Sequence, residues 1–348
     1  MSNIKKVVWA TALLGLVVSG VIAFKIYQAI FAPNTAFNNE EATVFIPSNA
    51  TFSKVTEILK PILQNTESFS AVAQRKGYVT RIKGGKYVIV KGMNNNEIVN
   101  TLRSANRPVK VSFNNQETIH ALAGRIADQL EADSTSLVTA LTDIDFMNEN
   151  DLTDDNLLAL FLPNTYEFFW NTDANGFRNR MVKEYRRFWN DERLAKAKTY
   201  DLSPFQVSTL AAIVQKETVK VEERPRVAGV YLNRLKSSIP LQADPTVIFA
   251  IKKETGNFDT IIKRVLYRDL EFESPYNTYK YGGLPPGPIT MPDISSIEAV
   301  LNAEKHEYLF FVADVSNFGF HKFAKTLQQH NRNKVQYINW LNNQNIRR

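Results

Sequence analysis

Residues 203–219, SPFQVSTLAAIVQKETV, decide how most of this chain is read. Ser203 followed by Pro204 and Gln206 is a capping box with proline at the first helical position. From there Val207, Leu210, Ala211, Val214, Thr218 and Val221 recur at i, i+3, i+4 spacing, which predicts an amphipathic helix. Glu217 falls at the edge of that stripe, next to Leu210 and Val221 in projection. Most glutamates on helices are simply solvated. One held against an apolar surface has its pKa raised and stays protonated near neutral pH, the state a general acid needs. Lys220, Glu222 and Glu223 are expected at the helix end, facing solvent.

The chain beyond Glu217 supplies context for such an acid. Pro225 opens an expected helix over 225–235, whose Asn233 and Arg234 are placed to brace the carboxylate helix. Three segments follow: 241–246 (LQADPT), 275–279 (PYNTY) and 282–289 (GGLPPGPI). Their proline, glycine, amide and hydroxyl content predicts rigid loops that carry hydrogen-bonding side chains. Each alone is ordinary turn chemistry. Together with tyrosines and a buried acid they suit a carbohydrate, which needs polar partners for its hydroxyls and flat rings against its C–H faces.

Ordinary glycoside hydrolysis uses two carboxyl groups. Asp244 is the candidate second one, although Asp244–Pro245 also reads as a turn in which the aspartate caps its own backbone. A single carboxyl suffices if the substrate brings its own nucleophile. In peptidoglycan the C6 hydroxyl of N-acetylmuramic acid can attack its own C1 and form a 1,6-anhydro ring, with intramolecularity replacing a second protein group.

Upstream, Lys5 and Lys6 precede an apolar run over 7–31, long enough for a transmembrane helix across a roughly 30 Å hydrocarbon core. The rival, a secretory signal peptide, lacks a clean small-residue cleavage site after the run. Residues 1–6 then form a cytoplasmic tail and the rest faces outward, in the periplasmic space of a bacterial cytoplasmic membrane. The bilayer is thus one partner, held through the N-terminal helix. A net charge of +7 favours anionic partners, while topology and the absence of a basic, aromatic-interleaved cluster argue against nucleic acid. There are no cysteines, and the four histidines show no metal-cage spacing, so neither metal nor cofactor is implied.

After a polar tether (34–41), strands are expected at 42–46, 84–90 and 109–113, with helices at 52–63 and 93–102. They make a small α+β module over 40–112. Residues 118–189 read as mainly helical. The aromatic stretch 161–170 (FLPNTYEFFW) is interrupted by Pro163–Asn164 and reads as either a core loop or a groove wall. Residues 196–200 read as surface. The fold class is therefore α+β.

Several motifs resemble the endolytic murein transglycosylase family, the YceG-like proteins. They are 211–218 (AAIVQKET), 230–235 (VYLNRL), 241–248 (LQADPTVI), 276–279 (YNTY) and 283–289 (GLPPGPI). Further on, 308–314 (YLFFVAD), 319–323 (GFHKF) and His330–Asn331 match as well. The resemblance covers most of the outer chain and is strongest over 205–331. It implies a membrane anchor, a LysM-like module over 40–112 and a catalytic domain over 113–345 with a lysozyme-like acid helix. It places the catalytic glutamate on Glu217. It also implies endolytic cleavage of nascent glycan strands at the bond from N-acetylmuramic acid to N-acetylglucosamine, ending elongation beside peptidoglycan synthases. Gln242, Asp244, Thr246, Asn277 and Tyr279 become candidates for positioning substrate or the glutamate, and Tyr276 and Pro286 for loop shape. Two departures stand out: Gln215 where the family often has an acid, and Leu158–Ala159 where it tends to have Glu-Gly. The rivals are a two-carboxylate muramidase and a non-catalytic, membrane-anchored peptidoglycan-binding scaffold.

Overall fold

The computed structural model describes residues 3–343. Residues 1–2 of the expected tail and 344–345 of the expected catalytic domain lie outside them. The chain divides into two compact units, one of residues 1–111, 129–132 and 166–173, the other of 112–128, 133–165 and the remainder.

The first unit begins with α1 (Asn3–Phe31), a helix long and apolar enough to cross a membrane, with none of its most apolar window buried in protein. Then come β1 (Glu41–Ile46), α2 (Phe52–Leu59), α3 (Thr66–Arg75), β2 (Gly85–Val90), α4 (Asn95–Ser104) and β3 (Pro108–Phe113). β1 and β2 pair antiparallel, from Glu41 opposite Val90 to Ile46 opposite Gly85. Alternate strand residues Val44, Ile46, Tyr87 and Ile89 meet Val55 and Leu59 of α2, Phe69 and Val72 of α3, and Ile98 and Leu102 of α4 in one core. The single helix expected over 52–63 is two pieces, because Pro61 sits in a separate 3-10 turn, Lys60–Ile62, after α2. α3, unmarked in the sequence, turns only Phe69, Val72 and Ala73 fully inward.

The expected polar tether starts instead as a built joint. Asn34 is buried and donates to Asn95 Oδ1 at 2.6 Å and to the Asn65 carbonyl at 2.9 Å. Asn95, itself buried, donates to the Ala29 carbonyl in the last turn of α1 at 2.8 Å. A helix end leaves such carbonyls unpaired, so Asn95 both caps α1 and ties it to the module.

The second unit carries α5 (Ile119–Ala127), α6 (Ser134–Leu141), α7 (Ile144–Glu149), α8 (Ala174–Phe188), α9 (Asp191–Thr199) and α10 (Pro204–Glu217). It continues with α11 (Arg224–Lys236), α12 (Asp244–Thr255), α13 (Ile294–Leu301), β5 (Phe310–Ala313), β6 (His321–Ala324) and α14 (Leu327–Asn343). The stretch 161–170 proves to be largely a strand, β4 (Asn164–Phe169), most of which belongs to the first unit and which turns Tyr166 and Phe168 inward. Residues 196–199 end α9, with Ala197 buried, so that segment is not simply surface.

α10 starts as its capping box requires, Ser203 and Gln206 each bonding the other's backbone N–H. It is not amphipathic in place. Every residue from Val207 to Val214 is buried, Ser208 and Thr209 included, because α9, α11, α12 and α13 all pack on it. Full burial of a side chain such as Leu210 or Ile213 contributes about 1.5–3 kcal/mol. Thr218 turns extended (φ −137°, ψ 132°) and stops the helix at Glu217, so Val221 leaves the expected stripe and is exposed. Glu223, expected in solvent, is buried and accepts from the His321 backbone N–H at 2.7 Å. Gln215 is likewise structural: its carbonyl oxygen accepts from Asp293 N at 2.6 Å and Ser296 Oγ at 2.9 Å, at the start of α13.

Candidate functional site

The end of α10 delivers Glu217 into an open pocket of 370 Å³ in the second unit. Glu217 keeps part of its surface toward the pocket, while its carboxyl is pushed up to about 7. Burial is the largest cause, and the negative charge of Asp244 adds to it. A hydrogen bond from Tyr231 works the other way. A carboxylate at a helix C-terminus also faces the negative end of the helix dipole. The Tyr231 hydroxyl donates to Glu217 Oε1 at 2.7 Å from α11. Burial and the adjacent glutamate hold the Tyr231 phenol well above its ordinary range, so it remains a donor.

One turn along α11, Arg234 organises the opposite wall. Its Nε and Nη2 donate to the Pro240 carbonyl at 2.9 and 2.7 Å, and Nη1 to the Leu309 carbonyl at 2.9 Å. Nη2 also donates to Gln242 Oε1 at 2.7 Å. An arginine only donates, so this contact turns the Gln242 carboxamide with its NH2 group away from Arg234. Gln242 sits at φ 52°, a left-handed backbone uncommon for a side-chain-bearing residue and typical of positions fixed by their surroundings. Asp244 opens α12 ahead of Pro245. It accepts from the Tyr279 hydroxyl at 2.6 Å and makes no side-chain cap, in place of the turn expected there. Phe311, edge-on to Tyr231 at 5.9 Å, and Phe310, stacked with His330 at 5.3 Å, form an aromatic side of the pocket.

Of the residues singled out in the sequence, Gln242, Asp244 and Tyr279 line this pocket with Glu217. The others do not. Thr246 is fully buried and bonds Thr278 Oγ1 at 2.8 Å and the Ala243 carbonyl at 2.7 Å. Asn277, also fully buried, donates to the Leu270 and Phe272 carbonyls and staples its own loop. Tyr276 packs against Phe249 and bonds Asp155 Oδ1 at 3.1 Å. Pro286 is exposed and lines a separate 950 Å³ cavity with Tyr200 and Lys236. Arg234 braces the pocket loop, and Asn233 donates to the His306 and Tyr308 carbonyls; neither bonds α10 as expected. Tyr231, the glutamate's partner, stood in the sequence only within the motif 230–235, with no role of its own, because nothing local marks a phenol as a proton donor to another helix. His330 and Lys334 join from α14. Among the described residues no group of three or more His, Cys, Asp or Glu could hold a metal ion.

A half-buried carboxyl at a helix end, bonded by a phenol, opens on a polar pocket that it shares with Asp244 and an aromatic side, in a chain of mixed helix and sheet. The chain belongs to the YceG-like family, whose sequence profile matches residues 44–336. It is 31% identical over 346 residues to an endolytic murein transglycosylase of Bacillus subtilis, covering 94% of this chain and 92% of that one. An endolytic murein transglycosylase of Streptococcus pneumoniae is 27% identical over 340 residues, covering 88% of this chain and 60% of the relative. A crystal structure of a YceG-like protein from Listeria monocytogenes superposes with a TM-score of 0.55 at 29% identity, over 85% of this chain and 99% of that one.

Proposed function

We propose that this chain is a membrane-anchored endolytic lytic transglycosylase that cuts peptidoglycan glycan strands, with Glu217 as its single acid and base. The observation that carries this reading is the Glu217 carboxyl poised at about 7 in an open pocket, beside the phenol donor Tyr231. A group titrating near the working pH gives and takes a proton with similar ease. Protonated Glu217 donates to the glycosidic oxygen as the bond from C1 of N-acetylmuramic acid to the next N-acetylglucosamine breaks. The resulting carboxylate takes the proton of the C6 hydroxyl as O6 bonds to C1. A 1,6-anhydro end forms, no water is consumed, and Glu217 regains its proton. Gln242 and Tyr279 are placed to position the sugar, while Thr246, Asn277, Tyr276 and Pro286 act at a distance through loop shape.

α10 serves as a lysozyme-like acid helix in a catalytic domain over 113–345. The module over 40–112 serves as a LysM-like glycan binder, supported by its closed core of two paired strands and three helices. α1 anchors the chain in the cytoplasmic membrane with Lys5 and Lys6 inside and the pocket outside, where nascent strands and their synthases are met.

Mass spectrometry of products from purified glycan strands tests the chemistry. Anhydro ends are expected. Ordinary reducing ends would instead assign a two-carboxylate hydrolase, with Asp244, which opens on the same pocket, as the second group.

A further inference from the structure

The pocket lining carries groups of both charge signs. Glu217 and Asp244 line it as acids; α14 adds His330 and Lys334, one helical turn apart, and the Arg234 guanidinium lies over Phe310. Among the described residues neither Arg234 nor Lys334 has a carboxylate partner. Arg234 donates only to neutral oxygens, and Lys334 is exposed at the mouth. His330 is packed on Phe310 with its buried Nδ1 lacking any hydrogen-bond partner. Burial, Lys334 and Arg234 all hold its imidazole below the ordinary range, so it is neutral at pH 7 and adds a polar edge rather than a charge. Two unpaired cations in one pocket attract an anion. A low-dielectric wall like the one formed by Phe310 and Phe311 strengthens that attraction.

We infer that the Lys334–His330 side of the pocket is a carboxylate subsite that reads the acidic arm of the muramoyl sugar. This rests on the glycan reading of the pocket. A muramoyl glycan carries a lactyl arm on alternate sugars, ending either in its own carboxylate or in a peptide with carboxylates of its own. Held at Lys334, that arm fixes which of the two alternating sugars places its C1 near Glu217. The subsite thereby selects the bond that is cut.

The test uses the full chain in detergent and three substrates: strands with stem peptides, strands stripped to the free lactyl carboxylate, and stripped strands whose carboxylates are converted to neutral amides. Lys334→Met is expected to raise KM about five-fold on acidic strands, the scale of one partly exposed charge contact, with kcat moving much less. Lys334→Glu should raise KM further, and neither variant should change KM on the amidated strands. An effect confined to stem-bearing strands assigns the peptide carboxylates; one confined to stripped strands assigns the lactyl group. An unchanged KM on both acidic substrates, or an equal rise on the amidated one, overturns the subsite. Strand binding by Glu217→Gln, with and without Lys334→Met, gives the same comparison without catalysis. Loss of turnover in the parent chain would then count against the glycan-cleavage reading alone.

Discussion

Glu217→Gln should make the protein more stable while abolishing turnover. The free glutamate value is 4.5, and the folded site raises it to about 7. Between those values the folded chain holds a proton that the unfolded chain has released, so stability falls as pH rises. The contribution is fully present below about 4.5 and lost as pH passes through 7. The total is ~3 kcal/mol, from 1.36 kcal/mol for each tenfold change. Glutamine has the same shape, accepts the Tyr231 hydroxyl through its carbonyl, and does not titrate. Thermal melts of parent and variant should therefore coincide near pH 4 and separate steadily toward pH 8. At pH 8 the variant should melt roughly 6–12 °C higher. A gap that stays flat with pH, or a parent chain that gains on the variant as pH rises, would refute a buried, proton-holding Glu217. The same group should set activity: kcat/KM falls about tenfold per pH unit above 7, as the acid form disappears.

Tyr231→Phe removes the hydrogen bond that favours the carboxylate, so the alkaline limb of the pH–rate profile should move to higher pH and kcat should drop by about tenfold. Asp244→Asn removes a negative neighbour that raises the Glu217 carboxyl, so the same limb should move to lower pH; an unmoved limb would mean the two groups do not feel each other. Asn95→Leu leaves the Ala29 carbonyl and the Asn34 amide without that partner, which should cost about 1–3 kcal/mol in the first unit. Hydrogen exchange should then rise at the end of α1 and the start of α4, while strand cleavage chemistry is untouched.

Local signals carried much of the architecture. The Ser203–Gln206 capping box marks the start of α10 because a cap is a contact between residues three apart. Paired apolar positions at strand period placed β1, β2 and β3 within a residue or two. Where the reading slipped, packing at a distance was responsible. The stripe drawn on α10 missed Ser208, Thr209, Ala212 and Ile213, because a helix enclosed by neighbours buries every side and leaves no polar face to read. Glu223 looked like a solvated end residue because its partner His321 lies far along the chain. The 34–41 tether looked loose because asparagines in sequence do not announce that three of them will lock together.

The sequence alone determined that a carboxyl would sit at the edge of an apolar helical stripe, and that rigid loops bearing amides and tyrosines would follow it. Those depend on backbone preferences and short-range spacing. Tertiary structure alone decided that Tyr231, Asp244 and Tyr279 gather with Glu217, that Thr246, Asn277 and Tyr276 serve the loops behind them, and that Lys334 faces the same pocket from α14. The carboxyl's rise to about 7 belongs with that second group, because it comes from burial and a neighbouring charge that exist only once distant segments have packed around it.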